Sequence, residues 1–232
     1  MKNTLQALKY LLIIILVNLL ILFIFANTEG PKDGEEQVKD LIHLNEYKLD
    51  KYLVKEYFLD IITPGGANNL KRHGYFLVYS IEQDENLGNN IIIPESIFYS
   101  KVIMNIFNPI TEINNDIFNE NFLLFSDDYN IAQQIFDEEV TRSILELQEE
   151  KILIGTPVIN SIITNEKEIQ IRIFRANTRE RINIETFLKN YYLSMEQKFK
   201  IVNLLVHMVA NLKNEKIPSD SNVEVTYIYD AP

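Results

Sequence analysis

The sequence predicts an α+β protein: an N-terminal membrane helix and a stalk-like helix, then a mixed domain with antiparallel strands and three or more helices. Three observations support this fold class. Residues 10–28 form an apolar run without a charged side chain, and residues 75–81 are rich in aromatic and β-branched side chains. Residues 194–213 carry the apolar stripe of a helix that faces a core.

The apolar run predicts an uncleaved membrane anchor, and we assign the membrane contact to residues 5–28. Only Asn18 interrupts the run, and roughly 20 apolar residues at about 1.5 Å each cross a hydrocarbon core of about 30 Å. A cleavable signal peptide has a shorter apolar region and small residues at its cleavage site. Here the run ends in Ile24, Phe25 and Ala26, so a retained anchor is favoured over a cleaved one.

The charges that flank the run favour one orientation. Lys2, Lys9 and the amino terminus precede the run, whereas Lys32 and Lys39 follow it among several acidic residues. By the positive-inside rule, the N-terminus is cytoplasmic and the domain lies outside a cell membrane that the chain crosses once. No cysteine follows the run, which excludes a bacterial lipoprotein anchor.

A polar linker over residues 27–36 precedes a predicted helix over about residues 35–55. Its apolar residues recur at helical spacing with charges between them: Val38, Leu41, Ile42, Leu49, Tyr52 and Leu53. We interpret this helix as a stalk, and an oligomer through the N-terminal helix is left open. The predicted domains are a transmembrane anchor at 1–28, a linker and stalk helix at 29–60 and an α+β domain at 61–232.

The middle of the chain is predicted as β structure. Residues 75–81 and the apolar run from Ile91 flank a polar turn, which predicts a hairpin with a long loop. Pro94 should mark an edge or a break, because proline lacks the N–H group that a β ladder needs. The segment "NFLLF", residues 121–125, predicts another short strand.

The last third of the chain predicts strands around one long helix. Two strands flank a turn at Asn165 and Glu166. Ser194 and Gln197 form the capping box that starts the clearest helix of the sequence. Apolar and polar residues alternate from Val223 onward, which predicts a final strand.

The stretch "NFLLFSDDYNIAQQIFDEEV" raises the question whether Asp127 and Asp128 form a metal or acid–base site or only start a helix. Aspartate accepts hydrogen bonds from the free N–H groups of a first helical turn and suits the helix dipole there. A helical spacing of apolar residues follows, and Asp137 repeats the pattern. The calcium-loop pattern D-x-[DN]-x-[DN]-G is absent. We therefore predict capping, and neither a metal site nor a cofactor.

The same stretch resembles a bacterial membrane-associated family catalogued as domain of unknown function 3137. The resemblance covers about residues 107–174: a strand that ends in "FSDD", the alanine-containing helix "xxAxxIF" and a second helix "VTRSILELQEE". It implies an α+β domain on a membrane and implies no activity. The chain departs from the family pattern at Asp137, where a proline is expected, and in its single membrane span, where relatives often have two.

Composition and motifs exclude several functions. The formal net charge of −11 repels phosphate backbones, so no nucleic acid partner is expected. The absence of cysteine excludes disulfides, thiol nucleophiles and cysteine-bound zinc. The chain contains no G-x-S-x-G, Walker, H-E-x-x-H or G-x-G-x-x-G motif. His207 lies in the apolar region of the long helix and is interpreted as a packed or boundary residue.

One group of basic residues is a candidate contact for an anion or a partner. The segment "RIFRANTRER" holds Arg172, Arg175, Arg179 and Arg181, and the guanidinium fork suits carboxylate or phosphate. The simpler interpretation is that these arginines pair with acidic residues of their own chain. No catalytic, cofactor-binding or metal-binding residue is predicted beside them.

Two classes of function remain. The first is a membrane-anchored, non-catalytic interaction or scaffolding domain at the bacterial envelope, with a protein partner. The anchor and the lack of a catalytic constellation favour it. The alternative is a hydrolase with dispersed Asp/Glu catalytic residues, because carboxylates that meet only in the fold leave no pattern in one sequence. We expect a binding protein rather than an enzyme.

Overall fold

The chain divides after Gln37 into two units, and a computed structural model describes much of the second. The described residues are 37–63, 72–84, 88–94, 111–149, 159–165, 167–191, 193–218 and 223–229. The predicted anchor and the linker up to Glu36 lie outside these residues. Within them, no helix is long and apolar enough to cross a membrane.

One antiparallel sheet of eight strands dominates the described structure. The strands are β1 (Gln37–Leu49), β2 (Tyr52–Thr63), β3 (Arg72–Glu82), β4 (Asn90–Pro94), β5 (Phe122–Ser126), β6 (Ile159–Thr164), β7 (Glu168–Thr178) and β8 (Val223–Tyr227). Across the sheet their order is β5-β4-β6-β7-β3-β2-β1-β8. The sheet therefore ends in two short strands, β5 and β8, and its longest strands lie between them.

Helices cover one face of the sheet. They are α1 (Asp116–Asn121), α2 (Tyr129–Ile135), α3 (Glu138–Glu149), α4 (Ile184–Tyr191) and α5 (Met195–Lys213). The longest, α5, contacts β2, β3 and β7, and it also contacts α2 and α3. Phe187 of α4 packs on Phe58 of β2 and Tyr75 of β3. The main hydrophobic core lies between this helical layer and the sheet.

The predicted fold class is wrong. The described chain is mostly a large antiparallel sheet with few helices, and no N-terminal membrane helix is part of the described structure. The predicted stalk helix over residues 35–55 is also wrong, because β1 and the start of β2 occupy the described part of that range. Burial follows the period of a strand here: Tyr52, Val54, Glu56, Phe58 and Asp60 are all buried.

The turn between β1 and β2 explains why the sequence pattern predicts one helix in place of two strands. It consists of Asp50 and Lys51, without a glycine or a proline to mark it. Asp50 has a φ of 56°, the left-handed conformation that aspartate adopts more readily than most residues. The sequence therefore shows no break between the two strands. The apolar residues of β1 and β2, read as one segment, recur at intervals that also fit a helix.

The predicted hairpin between residues 75–81 and the run from Ile91 is also wrong. β3 pairs with β2 and β7, whereas β4 pairs with β5 and β6. The two strands themselves exist as predicted, and Pro94 is the last residue of β4. The turn at Asn165 does join β6 to β7 in antiparallel register, which confirms the second predicted hairpin.

The capping interpretation of the paired aspartates is confirmed for Asp128. Its side chain accepts hydrogen bonds from the backbone N–H groups of Asn130 and Ile131 at the start of α2, at 2.9 and 3.2 Å. Asp127 has a different structural role. It accepts from the backbone and side-chain nitrogens of Asn89, at 2.8 and 2.9 Å, and so ties the start of α2 to the segment before β4.

Alanine in place of Asp128 should lower the free energy of unfolding by about 0.5–2 kcal/mol, the usual cost of losing an N-cap. Urea denaturation measures the loss. Glu120→Ala is the control, because it removes an exposed carboxylate from a helix without removing a cap, and surface substitutions of this kind change stability by about 0.5 kcal/mol or less. Equal losses in the two variants, or a melting temperature that calcium raises only while Asp128 is present, would contradict the capping role.

Candidate functional site

The four predicted arginines do not form one site. Arg172 is half-buried in β7, opposite Val78, and its Nη2 donates to Gln170 Oε1 at 3.4 Å. It lies six residues before the end of β7, roughly 20 Å at the usual rise of a strand. Arg179 is exposed just after that strand. The side chain of Arg175 lies outside the described residues.

Arg181 is the predicted arginine that enters a cluster, and it lies between two carboxylates. Its Nη2 donates to Asp40 Oδ2 in β1, and its Nε lies 3.5 Å from Asp60 Oδ2 in β2. Asp60 is fully buried and also contacts His73, whose Nδ1 is 2.9 Å from Asp60 Oδ1. The hydrogen bond to Asp40 raises the pKa of Arg181, so the guanidinium stays charged. The cluster connects β1, β2 and β3 to the segment after β7.

The pair of Asp60 and His73 has the geometry in which a carboxylate orients an imidazole for proton transfer. Thr178 is the hydroxyl residue opposite His73 in the sheet, but its Oγ1 donates to the Glu180 carbonyl at 2.5 Å. Among the residues that the structure describes, no three His, Asp or Glu side chains are arranged to hold a metal ion.

A buried ion pair between β2 and α5 was not predicted. Glu56 and Lys198 are almost fully buried, and Lys198 Nζ lies 2.9 Å from Glu56 Oε1 and 3.0 Å from Oε2. The same carboxylate accepts hydrogen bonds from Asn45 Nδ2, Tyr47 OH and Tyr79 OH at 2.6, 2.6 and 2.7 Å. Four donors surround this carboxylate, so the charge is compensated and the network fixes α5 on the sheet.

Among the described strands, only β8 lies on the outer side of β1, and it covers only part of that strand. Their pairing runs from Asn45 to Leu49, and the chain beyond β8 adds two hydrogen bonds, in which Ile228 N and Tyr229 N donate to the Leu44 carbonyl at 2.9 and 3.0 Å. No described strand pairs with the outer side of residues 37–43. We call this stretch of β1 the open edge.

Exposed hydrophobic side chains flank the open edge. The exposed fraction is 61% for Val38, 57% for Leu41, 63% for Tyr227 and 46% for Ile228. The remaining large hydrophobic side chains that are exposed in the described chain lie on β2, β4, α1, α2 and the segment after α5: Leu53, Ile91, Ile117, Tyr129 and Ile217. Single exposed hydrophobic residues are ordinary, whereas a group beside an unpaired strand indicates an interaction site.

A cleft of about 970 Å³ lies at the opposite end of the central strands. The β1–β2 turn, the end of β3, the β6–β7 turn and the end of α5 form its walls. Four lysines line it: Lys51, Lys55, Lys167 and Lys213. We call it the lysine cleft.

Two of these lysines are paired with carboxylates. Lys51 Nζ lies 2.6 Å from Glu215 Oε2, and Lys55 Nζ lies 2.7 Å from Glu82 Oε1. The hydrogen bonds from Lys51 and then from Tyr52 lower the pKa of Glu215. Burial, followed by the hydrogen bond to Glu215, raises the pKa of Tyr52, so its hydroxyl remains a donor. This part of the wall is therefore internally neutralised.

Comparisons with known proteins leave the family open. The resemblance of residues 107–174 to domain of unknown function 3137 stays a prediction, and function has to be argued from the sites above. No protein-family model, curated protein or solved structure matches this chain significantly.

Proposed function

We propose that this protein is a non-catalytic binding domain, held at the membrane of the bacterial envelope, that takes up an extended segment of a partner protein along the open edge. The observation that supports the proposal is that, within the described part of the chain, no strand pairs with the outer side of residues 37–43, and Val38 and Leu41 are exposed beside it. Backbone N–H and C=O groups on such an edge form a template for another strand.

The dimensions of the open edge suit one added strand. Seven residues at about 3.4 Å each extend over roughly 24 Å, the length of an ordinary strand. Leu41 and Ile228 provide apolar contacts for side chains on the two faces of that strand, while the backbone supplies hydrogen bonds. The partner segment is therefore extended, carries apolar residues and lacks proline at its central positions.

Natural sheets usually protect their edges with proline, bulges or charged side chains. On the open edge, Lys39 and Asp40 are the charged residues, and Arg181 already binds Asp40. An exposed apolar edge without a partner is also a site of aggregation. Both considerations favour an edge that is covered in the working protein.

The sequence supports a place at the membrane. The apolar run that ends at residue 28 precedes the open edge by nine residues, and its length suits a hydrocarbon core. The flanking lysines favour a cytoplasmic N-terminus and a domain outside. The single-pass topology and the partner protein belong to this proposal.

A lysine in place of Leu41 should abolish capture of the partner. The experiment uses the full chain in its native membrane with a photo-crosslinker at Val38. We expect one discrete adduct with another protein, reduced about tenfold or more by Leu41→Lys, because placing a charge in an apolar interface costs at least about 1.4 kcal/mol.

Ile117→Lys is the matched control, because it puts the same charge on an equally exposed residue of α1 and should leave the adduct unchanged. A crosslinker at the partly buried Ile42 should give no adduct. Equal loss in both lysine variants would contradict the role of the open edge. An adduct with a second copy of the chain would show that the open edge binds another copy, and that the protein forms a homo-oligomer there.

The alternative function, a hydrolase with dispersed Asp/Glu residues, has one observation in its favour. Buried Asp60 holds His73 in an orientation suited to proton transfer. Arg181 also contacts Asp60, so this carboxylate already has two partners within the fold. A His73→Gln variant separates the two functions. If the variant loses a hydrolytic activity and still forms the Val38 adduct, the result favours the hydrolase.

A further inference from the structure

We propose that the lysine cleft binds a small polyanion that carries carboxylate or phosphate groups. This site is distinct from the open edge and does not depend on the proposed function. Its volume, about 970 Å³, lies at the upper end of the range of roughly 300–1,000 Å³ that small-molecule sites occupy.

The charge arrangement identifies the kind of ligand. In a chain with 33 acidic and 22 basic residues, lysines have many carboxylates available as partners. Lys51 and Lys55 have such partners, but no carboxylate in the described part of the chain lies within 4.0 Å of Lys167 or Lys213. Lys213 acts on Glu215 only from a longer distance, where its charge contributes to the lowered pKa of that carboxyl. Two ammonium groups that line one cleft outside any close ion pair of the described residues attract an anion with more than one charge.

The acidic residues of the cleft limit where that anion sits. Asp84, Glu82 and Glu168 also line the cleft, so its total charge is close to neutral. Glu82 is paired with Lys55, and Glu168 Oε1 accepts hydrogen bonds from Asn165 and Gln170 at 3.2 and 2.9 Å. Glu168 and Asp84 keep their own charges, so among the described lining residues an anion meets ammonium groups outside close ion pairs only at Lys167 and Lys213. This restriction favours a small ligand over one that fills the cleft.

The elements that carry the two lysines fix their backbone positions in the wall of the cleft. Lys167 lies on the β6–β7 turn, where Asn165 Oδ1 accepts from the Lys167 backbone N–H at 3.0 Å. The turn is also fixed from the side of β3, because Gln83 N donates to the Lys167 carbonyl at 2.8 Å. Lys213 lies in the last turn of α5, where the helix dipole favours a cation. The backbone of each lysine is thus fixed, and the ammonium groups are left for a ligand.

Isothermal titration of the full chain in detergent tests the proposal, with citrate and inorganic phosphate as separate probes at low salt. We expect one of them to bind, with an affinity that falls as salt is raised. The double variant Lys167→Gln, Lys213→Gln should weaken binding about tenfold or more, as expected for the loss of charge-assisted hydrogen bonds.

The control removes the same charge elsewhere: Lys48→Gln with Lys189→Gln, two exposed lysines outside the cleft. It should leave binding unchanged, and so should Leu41→Lys. Tighter binding of citrate assigns the site to carboxylates, and tighter binding of phosphate assigns it to phosphates. The proposal fails if neither probe binds, or if the control weakens binding as much as the cleft variant.

Discussion

Methionine in place of Lys198 should lower the free energy of unfolding by about 3–5 kcal/mol, because it leaves a charged carboxylate in the core without its counter-ion. Glu56 would keep its hydrogen bonds from Asn45, Tyr47 and Tyr79, but no cation would compensate its charge. Methionine has a similar length to lysine and keeps the packing of the apolar stem, so the loss reports the charge. Urea denaturation of the full chain in detergent measures it.

Two further variants separate the ion pair from a general effect of mutating α5. Lys200→Met removes an exposed lysine that pairs with Glu196 at 3.5 Å on the helix surface, and should change stability by about 0.5 kcal/mol or less. The double variant Lys198→Met, Glu56→Gln should recover part of the loss, because a neutral amide is less costly to bury than an unpaired carboxylate. A single-variant loss below about 1 kcal/mol would contradict full burial of the pair.

Local patterns allowed several elements to be predicted. The capping box of Ser194 and Gln197 starts α5 as expected, and Asp128 caps α2. In both cases the side chain bonds to backbone groups two or three residues away, so the whole interaction lies within a short stretch of sequence. Strands with clear alternation, such as β7, were predicted for the same reason.

Interactions between distant segments could not be predicted. Arg181 was singled out, but Asp40 lies 141 residues before it and leaves no local pattern. Glu56 and Lys198 are 142 residues apart. Glu56 lies on the buried face of β2, a position that follows from the period of a strand and not from the period of a helix. The error over residues 35–55 thus hid both the ion pair and the open edge.

Sheet order was unpredictable for a related reason. β3 and β4 are consecutive strands with a polar turn between them, which is the usual pattern of a hairpin. In the fold, β7 pairs with β3 and β6 pairs with β4, so a later hairpin inserts between two earlier strands. Alternation specifies which face of a strand is buried but not which strand lies beside it. The lysine cleft combines four separate segments and depends on this order.

Alanine in place of Phe187 should also cost about 3–5 kcal/mol of unfolding free energy, the usual range for removing a buried aromatic ring. Phe187 is fully buried on α4, and its ring centroid lies 4.7 Å from that of Phe58 and 5.9 Å from that of Tyr75. Truncation to alanine would leave a cavity between α4 and the sheet. Phe187→Leu should cost less, because leucine fills more of the same space.

The substitution should also release the segment that carries Arg181. Tyr75 OH accepts a hydrogen bond from Ile182 N at 2.5 Å, and burial raises the pKa of Tyr75, so the hydroxyl stays protonated. With the ring of Phe187 gone, Tyr75 loses a packing partner, and hydrogen exchange at the Ile182 amide should become faster in Phe187→Ala than in Phe187→Leu. Crosslinking from Val38 should stay intact under conditions where the variant is folded. Unchanged exchange at the Ile182 amide would show that the Asp40–Arg181 contact holds the segment without α4. Loss of the Val38 adduct would show that the open edge depends on the packing of α4.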